Sequence, residues 1–208
     1  MKVAIFGATG TVGRHVVARA LAAGHQVTAL TRDAANLTAA THERLRVEVG
    51  DVLDPAAVER TVIGQDAVIV TLGAGRKGVV RAEGTRHIIE AMARTGVKRL
   101  ICQSSLGVGD SRGNLNFVWK YVMFGMLLRQ PYADHVRQEE YVLASDLDWT
   151  IVRPSAFTDG PATGNYRRDF PATETGLSLK ISRADIAEFL VEQLTDGTYV
   201  RRTPGISN

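Results

Sequence analysis

Short hydrophobic runs alternate with longer amphipathic stretches along most of the chain. Each run has the length of a strand and ends near a glycine or a polar residue. The run at 67–72 is almost wholly apolar, as a strand covered on both faces is, and the run at 45–49 alternates. The alternation predicts one α/β domain, a doubly wound parallel sheet with right-handed crossovers and a small C-terminal region on the substrate side. The runs that predict the sheet are 3–6, 26–30, 45–49, 67–72, 98–103 and 149–153.

Three glycines spaced by three follow the first run and open a helical pattern. Gly7 permits a tight turn, Gly10 lets the main chain approach a pyrophosphate, and Gly13 lets the helix lie close to the strand. Free amides at the positive end of this helix then favour phosphate. The alternative is an ordinary strand–helix turn. The candidate phosphate-binding residues are Gly7, Thr9, Gly10, Thr11, Val12 and Gly13.

The residues after the second run predict which dinucleotide binds. An acidic residue near this point holds the ribose hydroxyls in NAD-preferring Rossmann folds, whereas this chain has Thr31, Arg32 and Asp33. Arg32 is placed to hold a 2′-phosphate, with Thr31 as a second donor, and Asp33 suits the N-cap of the next short helix. The alternative for Arg32 is a solvated surface arginine. The sequence therefore favours NADP(H).

Further candidates stand at the carboxyl ends of the later strands, where ligands bind in such sheets. Asp51 is placed to accept a hydrogen bond from adenine, or else caps the turn before Pro55. Arg76, in a basic loop, either contacts cofactor phosphate or is solvated. Ser104 and Ser105 follow the fifth strand, where their hydroxyls face the nicotinamide end and are placed to bind a substrate carbonyl or the carboxamide.

The second half of the chain carries an apolar segment at 115–128. It lines a hydrophobic pocket, packs against another chain, or is a simple core helix. The polar helix predicted at 133–145 carries His135, Glu139 and Glu140, expected to be exposed. A loop over the sheet at 155–175 and short strands at 177–180 and 198–200 complete the prediction, so the substrate-side elements are about 105–130 and 155–180.

Composition narrows the class of protein. The net charge is +3 and the basic residues are dispersed, which does not favour nucleic acid. The single cysteine, Cys102, excludes an internal disulfide and sits in an apolar run, so a buried thiol is expected. No apolar stretch is long enough to span a bilayer, and we expect a cytoplasmic protein without a membrane partner.

Classical short-chain dehydrogenases use a tyrosine with a lysine four residues later, and this chain has no such pair. The usual general acid for alcohol oxidation is therefore missing. Either hydride passes to an acceptor that needs little acid assistance, such as a flavin, quinone or linear tetrapyrrole, or NADP(H) binds without chemistry. The residues four positions beyond Tyr121, Tyr132, Tyr141, Tyr166 and Tyr199 are Gly125, Val136, Ser145, Phe170 and Thr203.

Taken together, these residues resemble the atypical short-chain dehydrogenase/reductases with an NmrA-like NAD(P)-binding fold, and within them the NADPH-dependent flavin and biliverdin reductases. The resemblance covers nearly the whole chain. It rests on 5–10, 31–33, 49–52, 64–70, Ser105, Asp134-His135, Pro154, Thr163-Gly164-x-Tyr166 and Ile181-Ser182-x-x-Asp185.

The resemblance implies a Rossmann fold and hydride transfer from NADPH to a small conjugated molecule, by a monomer or weak homodimer. It places Ser105 beside the nicotinamide and Pro154 at the substrate. The chain departs from the family on the substrate side, where Ala156 stands in place of a histidine and Gly107 in place of an aromatic residue. The residues implied to bind NADPH are Thr9, Gly10, Arg32, Asp51, Val52, Leu72 and Gly73.

Overall fold

A computed structural model describes residues 1–37, 42–73 and 80–208. Within them, a mainly parallel sheet has the order β3-β2-β1-β4-β5-β6-β10-β8, and a two-stranded sheet pairs β7 with β9. The strands are β1 Lys2–Phe6, β2 Gln26–Thr31, β3 Leu45–Val49, β4 Ala67–Val70, β5 Arg99–Gln103, β6 Asp148–Pro154, β7 Ala156–Thr158, β8 Arg167–Arg168, β9 Lys180–Ser182 and β10 Gly205–Ser207.

Helices cover both faces of this sheet. Short 3-10 turns at Ala34–Asn36 and Gly109–Asn114 and a π-helix at Val118–Leu127 complete the described secondary structure. The helices are α1 Gly13–Ala22, α2 Pro55–Val62, α3 Val80–Thr95, α4 Arg129–Leu143 and α5 Arg183–Glu192.

In the central strand β1, residues 3–6 are all apolar and buried. Val3 and Ile5 pack on the face covered by α1 and α5, while Ala4 and Phe6 pack on the face covered by α2 and α3. Side chains of a strand alternate between faces, so a strand covered on both sides has no polar position. The predicted doubly wound sheet is confirmed, and its crossovers bring the carboxyl ends of the first five strands to one edge.

Two short strands near the C-terminus were predicted at the wrong place. The chain at 198–200 forms a turn in which Tyr199 is buried against Phe189, at 5.7 Å between ring centroids, and the last strand is β10. The strand expected at 177–180 begins only at Lys180, because Leu179 has a φ of 56° and packs into a small apolar cluster instead of pairing.

Cys102 is fully buried, as predicted, and burial raises the pKa of its thiol well above the usual range. Such a thiol is inert at neutral pH.

Across the described residues, every helix falls short of the length or the apolarity needed to cross a bilayer.

Candidate functional site

The ends of strands β1 to β5 open onto one cleft with a volume of about 410 Å³. It runs along the edge of the sheet where the predicted candidates cluster. Its lining residues are Phe6, Gly7, Thr9, Gly10, Thr11, Val12, Leu30, Thr31, Arg32, Gly50, Asp51, Val52, Thr71, Leu72, Gly73, Val80, Arg81, Gln103, His135 and Phe157.

The glycine turn after β1 is shaped by close backbone contacts. Gly7 has a φ of 88°, and a Cβ at this position would lie 2.5 Å from the carbonyl oxygen of Thr71. A Cβ at Gly13 would collide with the carbonyl of Gly7. Side chains at these two positions would separate α1 from the strand ends, so the close helix–strand approach requires glycine.

The same turn presents backbone donors to the cleft. The amide of Gly10 donates to the carbonyl of Gly7 at 2.9 Å and closes the turn. The amides of Thr11 and Val12 donate to no acceptor within the described part of the chain, and both residues line the cleft. Unpaired amides at the first turn of α1 suit an anionic group such as a pyrophosphate.

One end of the cleft, beyond β2, is marked by Arg32. Arg32 is exposed and lines the cleft. Asp33 accepts a hydrogen bond from the amide of Ala35 at 3.0 Å, so its predicted role as an N-cap is confirmed. The Thr31 hydroxyl donates to the Asp33 carbonyl at 3.0 Å and is therefore engaged within the turn. At this end Arg32 lines the cleft, whereas the Asp33 carboxylate caps the backbone of the following 3-10 turn.

Asp51, just after β3, has the capping role that its sequence context left open, and its contact with adenine stays a prediction. One carboxylate oxygen accepts from the amide of Leu53 at 2.9 Å and closes the following turn. The residue nevertheless lines the cleft beside Val52 and Leu30. An apolar slot with a carboxylate at its edge is suited to a purine ring that carries an amino group.

The opposite end of the cleft is built by an ion pair between helices α3 and α4. Asp134 accepts from Arg81 Nη1 at 3.0 Å and from the amide of Ala82 at 3.0 Å, and its side chain is 1% exposed. Arg81 Nε donates to the Leu72 carbonyl at 3.1 Å. Asp134 thus caps the first turn of α3 and, through Arg81, ties this helix to the chain leaving β4.

His135 lies in the cleft, which corrects the expectation of an exposed side chain. Its Nδ1 is buried and has no hydrogen-bond partner in the described part of the chain. Burial, with the nearby Arg81 charge adding to it, lowers the pKa of His135 well below the usual range. The imidazole is therefore neutral at pH 7 and offers a polar atom at this end of the cleft.

The carboxyl end of β5 contributes Gln103, whose side chain lines the cleft, and then the two serines. Ser105 is partly buried and its hydroxyl donates to the Leu106 carbonyl at 3.3 Å. The Ser104 hydroxyl is fully buried and has no partner in the described residues. Pro154 lies within β6, where it pairs with Ile206. The two serines and Pro154 are not among the described residues that line the cleft, and their predicted roles remain predictions.

Glu139 was also expected to be exposed and is buried. It forms a two-pronged ion pair with Arg153, at 3.0 Å to Nε and 2.7 Å to Nη2. The outer nitrogen of Arg153 reaches Asp110, which is largely exposed. Glu140 is exposed as expected. The pair joins α4 to β6 and to the loop that follows the serines.

The apolar segment at 115–128 neither lines the cleft nor belongs to the main core. Within the π-helix no side chain is buried, and only Trp119 and Phe124 pack on the small cluster that contains Leu106 and Leu115. The structure therefore leaves an outward apolar face, which favours the interpretation as a contact surface. Its exposed members are Phe117, Val118, Tyr121, Val122, Met126 and Leu127.

Most of the predicted cofactor residues come together in the cleft. Gly13 does not line the cleft but lets α1 pack closely against the glycine turn. Arg76 lies outside the described residues. Arg81, Gln103 and Phe157 also line the cleft and were not predicted as cleft residues. The place of Gln103 at the end of a buried run was the signal for it in the sequence. The predicted residues that line the cleft are Gly7, Thr9, Gly10, Thr11, Val12, Arg32, Asp51, Val52, Leu72 and Gly73.

A parallel sheet with a glycine turn and a cleft across its strand ends defines a dinucleotide-binding Rossmann domain. The family model described as NAD(P)H-binding matches residues 7–197. The chain belongs to this NAD(P)H-binding family, among the atypical, NmrA-like short-chain dehydrogenase/reductases, a group of NAD(P)-dependent oxidoreductases.

Similar proteins include both uncharacterised and named examples. The UPF0659 protein YMR090W of Saccharomyces cerevisiae is 30% identical, over 100% of this chain and 93% of its own length. A 3-diazoavenalumate denitrifying reductase from a Streptomyces species is 32% identical, over 81% of this chain and 60% of its own length. The anaerobilin reductase ChuY from Escherichia coli O157:H7 has a TM-score of 0.83 at 26% identity, covering 100% of this chain and 97% of that one.

Proposed function

We propose that the protein is an NADPH-dependent reductase that passes hydride to a flat, conjugated acceptor of the flavin, quinone or tetrapyrrole type. The observation that carries the proposal is the continuous cleft from Arg32, past the glycine turn, to Gln103, His135 and Phe157. An anion-binding turn between a cation and a partly apolar end suits a phosphorylated dinucleotide. The named reductases among the similar proteins support the reaction class.

In this proposal the protein mainly binds and orients. When bound, the reduced nicotinamide supplies a hydride, which together with one solvent proton reduces the acceptor by two electrons and leaves NADP⁺. The amides of Thr11 and Val12 bind the pyrophosphate, and Arg32 binds the 2′-phosphate. Phe157 offers a half-exposed ring against which a flat acceptor stacks. Ser105 positions the nicotinamide or the acceptor, and Ser104 stands beside it.

The first test is NADPH oxidation, followed by absorbance, with FMN, riboflavin, menadione and biliverdin offered separately and NADH run in parallel. We expect saturable turnover with at least one acceptor and much poorer turnover with NADH. Ser105→Ala and Ser104→Ala then separate the two hydroxyls. If the wild-type protein binds NADPH but reduces none of the acceptors, the reductase proposal is wrong.

Replacing Arg32 tests the choice of cofactor. We expect Arg32→Ala to raise KM for NADPH about ten- to a hundredfold, since a charge-assisted contact to phosphate is lost, and to leave KM for NADH unchanged. Arg46→Ala, an exposed arginine on β3 outside the cleft, is the matched control and should behave as wild type. An equal loss with both cofactors would show that Arg32 does not read the 2′-phosphate.

A second candidate function is an NmrA-like redox sensor that binds NADP(H) without catalysis and reports it to a partner. The exposed apolar face at 117–127 favours it, because a helix that lines a substrate pocket is covered. The sensor predicts tight NADPH binding with no turnover, and association that changes with NADPH.

A substitution in the exposed face tests whether it carries self-association. We expect weak, concentration-dependent dimerisation of the wild type in sedimentation equilibrium and its loss in Met126→Asp, since burying an aspartate in a dimer interface is costly. Met126 is 75% exposed, and Ile63→Asp, at 61% exposure directly after α2, is the control that should still dimerise. A wild type that stays monomeric at all concentrations would exclude this use of the face.

A further inference from the structure

Gln103 is a buried glutamine among the residues that line the cleft. The residue is 7% exposed, and its Oε1 is buried and has no hydrogen-bond partner among the described residues. Leaving one such group unpaired costs about 1–3 kcal/mol. In native proteins such a group usually has a partner, which is protein, ordered water or a bound ligand.

The position of Gln103 says which part of a dinucleotide it faces. In the sheet order, β2 and β5 are separated by β1 and β4, so Gln103 lies three strand spacings, about 14 Å, from the end of β2 that carries Arg32. The glycine turn lies between them. A cofactor with its 2′-phosphate at Arg32 and its pyrophosphate at the turn therefore presents its nicotinamide to Gln103.

We propose that Gln103 forms a subsite for a planar amide or imide edge, that is, an N–H donor next to a carbonyl acceptor. A glutamine amide carries the complementary pair and satisfies both partners at once, whichever way its oxygen and nitrogen are oriented. This inference rests on the proposed function. Two parts of the reacting system carry this edge, namely the carboxamide of nicotinamide and the imide of a flavin.

The subsite has consequences for the acceptor. A quinone presents carbonyl oxygens and no N–H, so it satisfies only the donor half of Gln103 and leaves Oε1 unpaired. A flavin satisfies both halves. His135, next in the chain to the ion-paired Asp134, adds a second buried polar atom at the same end. The recognition at this end is therefore polar and directional, although much of the wall is apolar.

The cofactor arm of the test compares NADP⁺ with its 3-acetylpyridine analogue, in which a methyl ketone replaces the carboxamide. Dissociation constants are measured by calorimetry for wild type and Gln103→Leu. If the carboxamide is the ligand, wild type binds the analogue about tenfold more weakly than NADP⁺, and Gln103→Leu binds both equally. Gln193→Leu is the matched control, because Gln193, directly after α5, is another buried glutamine whose Oε1 is unpaired among the described residues but lies outside the cleft lining.

The acceptor arm compares riboflavin with N3-methylriboflavin, which lacks the imide N–H, at saturating NADPH. If the imide is the ligand, KM of the wild type is about tenfold higher for the methylated flavin, and Gln103→Leu removes the difference. The affinity for NADP⁺ then stays unchanged in Gln103→Leu.

The inference is overturned if the wild type discriminates in neither arm, or if Gln103→Leu keeps the full discrimination. Failure of the proposed function is a separate result. If the wild type discriminates between NADP⁺ and its analogue but turns over no acceptor, the subsite proposal stands and the reductase proposal is wrong. If the wild type reduces acceptors without discriminating in either arm, the reductase proposal stands and the subsite proposal is wrong.

Discussion

Asp134→Ala is expected to lower the free energy of unfolding by about 3–5 kcal/mol, since it leaves the Arg81 guanidinium buried without its counter-ion. It also removes the acceptor of the Ala82 amide in the first turn of α3. In a domain of this size the loss corresponds to a fall in Tm of roughly 10 °C. NADPH affinity should fall as well, because Arg81 holds the Leu72 carbonyl at the cleft. Thermal unfolding and calorimetric titration measure the two effects.

Glu59→Ala is the matched control for this change. Glu59 pairs with Arg94 at 2.8 Å, and both side chains are exposed, by 45% and 48%. An exposed pair of this kind contributes less than about 1 kcal/mol. If Asp134→Ala lowers Tm no more than Glu59→Ala does, the buried pair is not what fastens α3 to α4.

The first five strands and the glycine turn were predictable because their signals are local. A strand covered on both faces must be apolar at every buried position. The glycines at 7, 10 and 13 indicate that the backbone of the turn and of α1 packs closely against the strand ends. Capping is equally local. The Ser182 hydroxyl accepts from the amide of Asp185 at 2.9 Å and so caps the start of α5, three residues along the chain.

The C-terminal strands could not be placed from local pattern. Residues 198–200 have a strand-like composition, yet Tyr199 is used to fill the space beside Phe189. The true last strand pairs with β6, and only the position of that distant partner selects it. Long-range pairing of this kind leaves little trace in a window of neighbouring residues.

The two ends of the cleft also differ in how far the local sequence predicts them. Arg32 and the glycine turn follow strands directly, so their place at the edge of the sheet is inferred from the strand pattern alone. His135 reaches the cleft because α4 packs on α3, and its neighbour Asp134 is paired with a residue 53 positions earlier in the chain. A polar helix read in isolation therefore looks solvated, which is why both His135 and Glu139 were predicted to be exposed.

Arg153→Met is expected to lower the free energy of unfolding by about 3–5 kcal/mol, as much as the loss of Asp134, because it leaves the Glu139 carboxylate buried without a counter-ion. Both side chains of this pair are 4% exposed. The double variant Arg153→Met/Glu139→Leu should recover most of that loss, since a packed apolar pair of similar volume removes the uncompensated charge. Urea unfolding of the two single variants and the double variant yields the coupling energy. Arg19→Met, which breaks an exposed pair with Glu188, is the control and should cost less than about 1 kcal/mol. A double variant no more stable than Arg153→Met would show that the arginine supports β6 by packing and by its contact with Asp110, and that neutralising Glu139 is secondary.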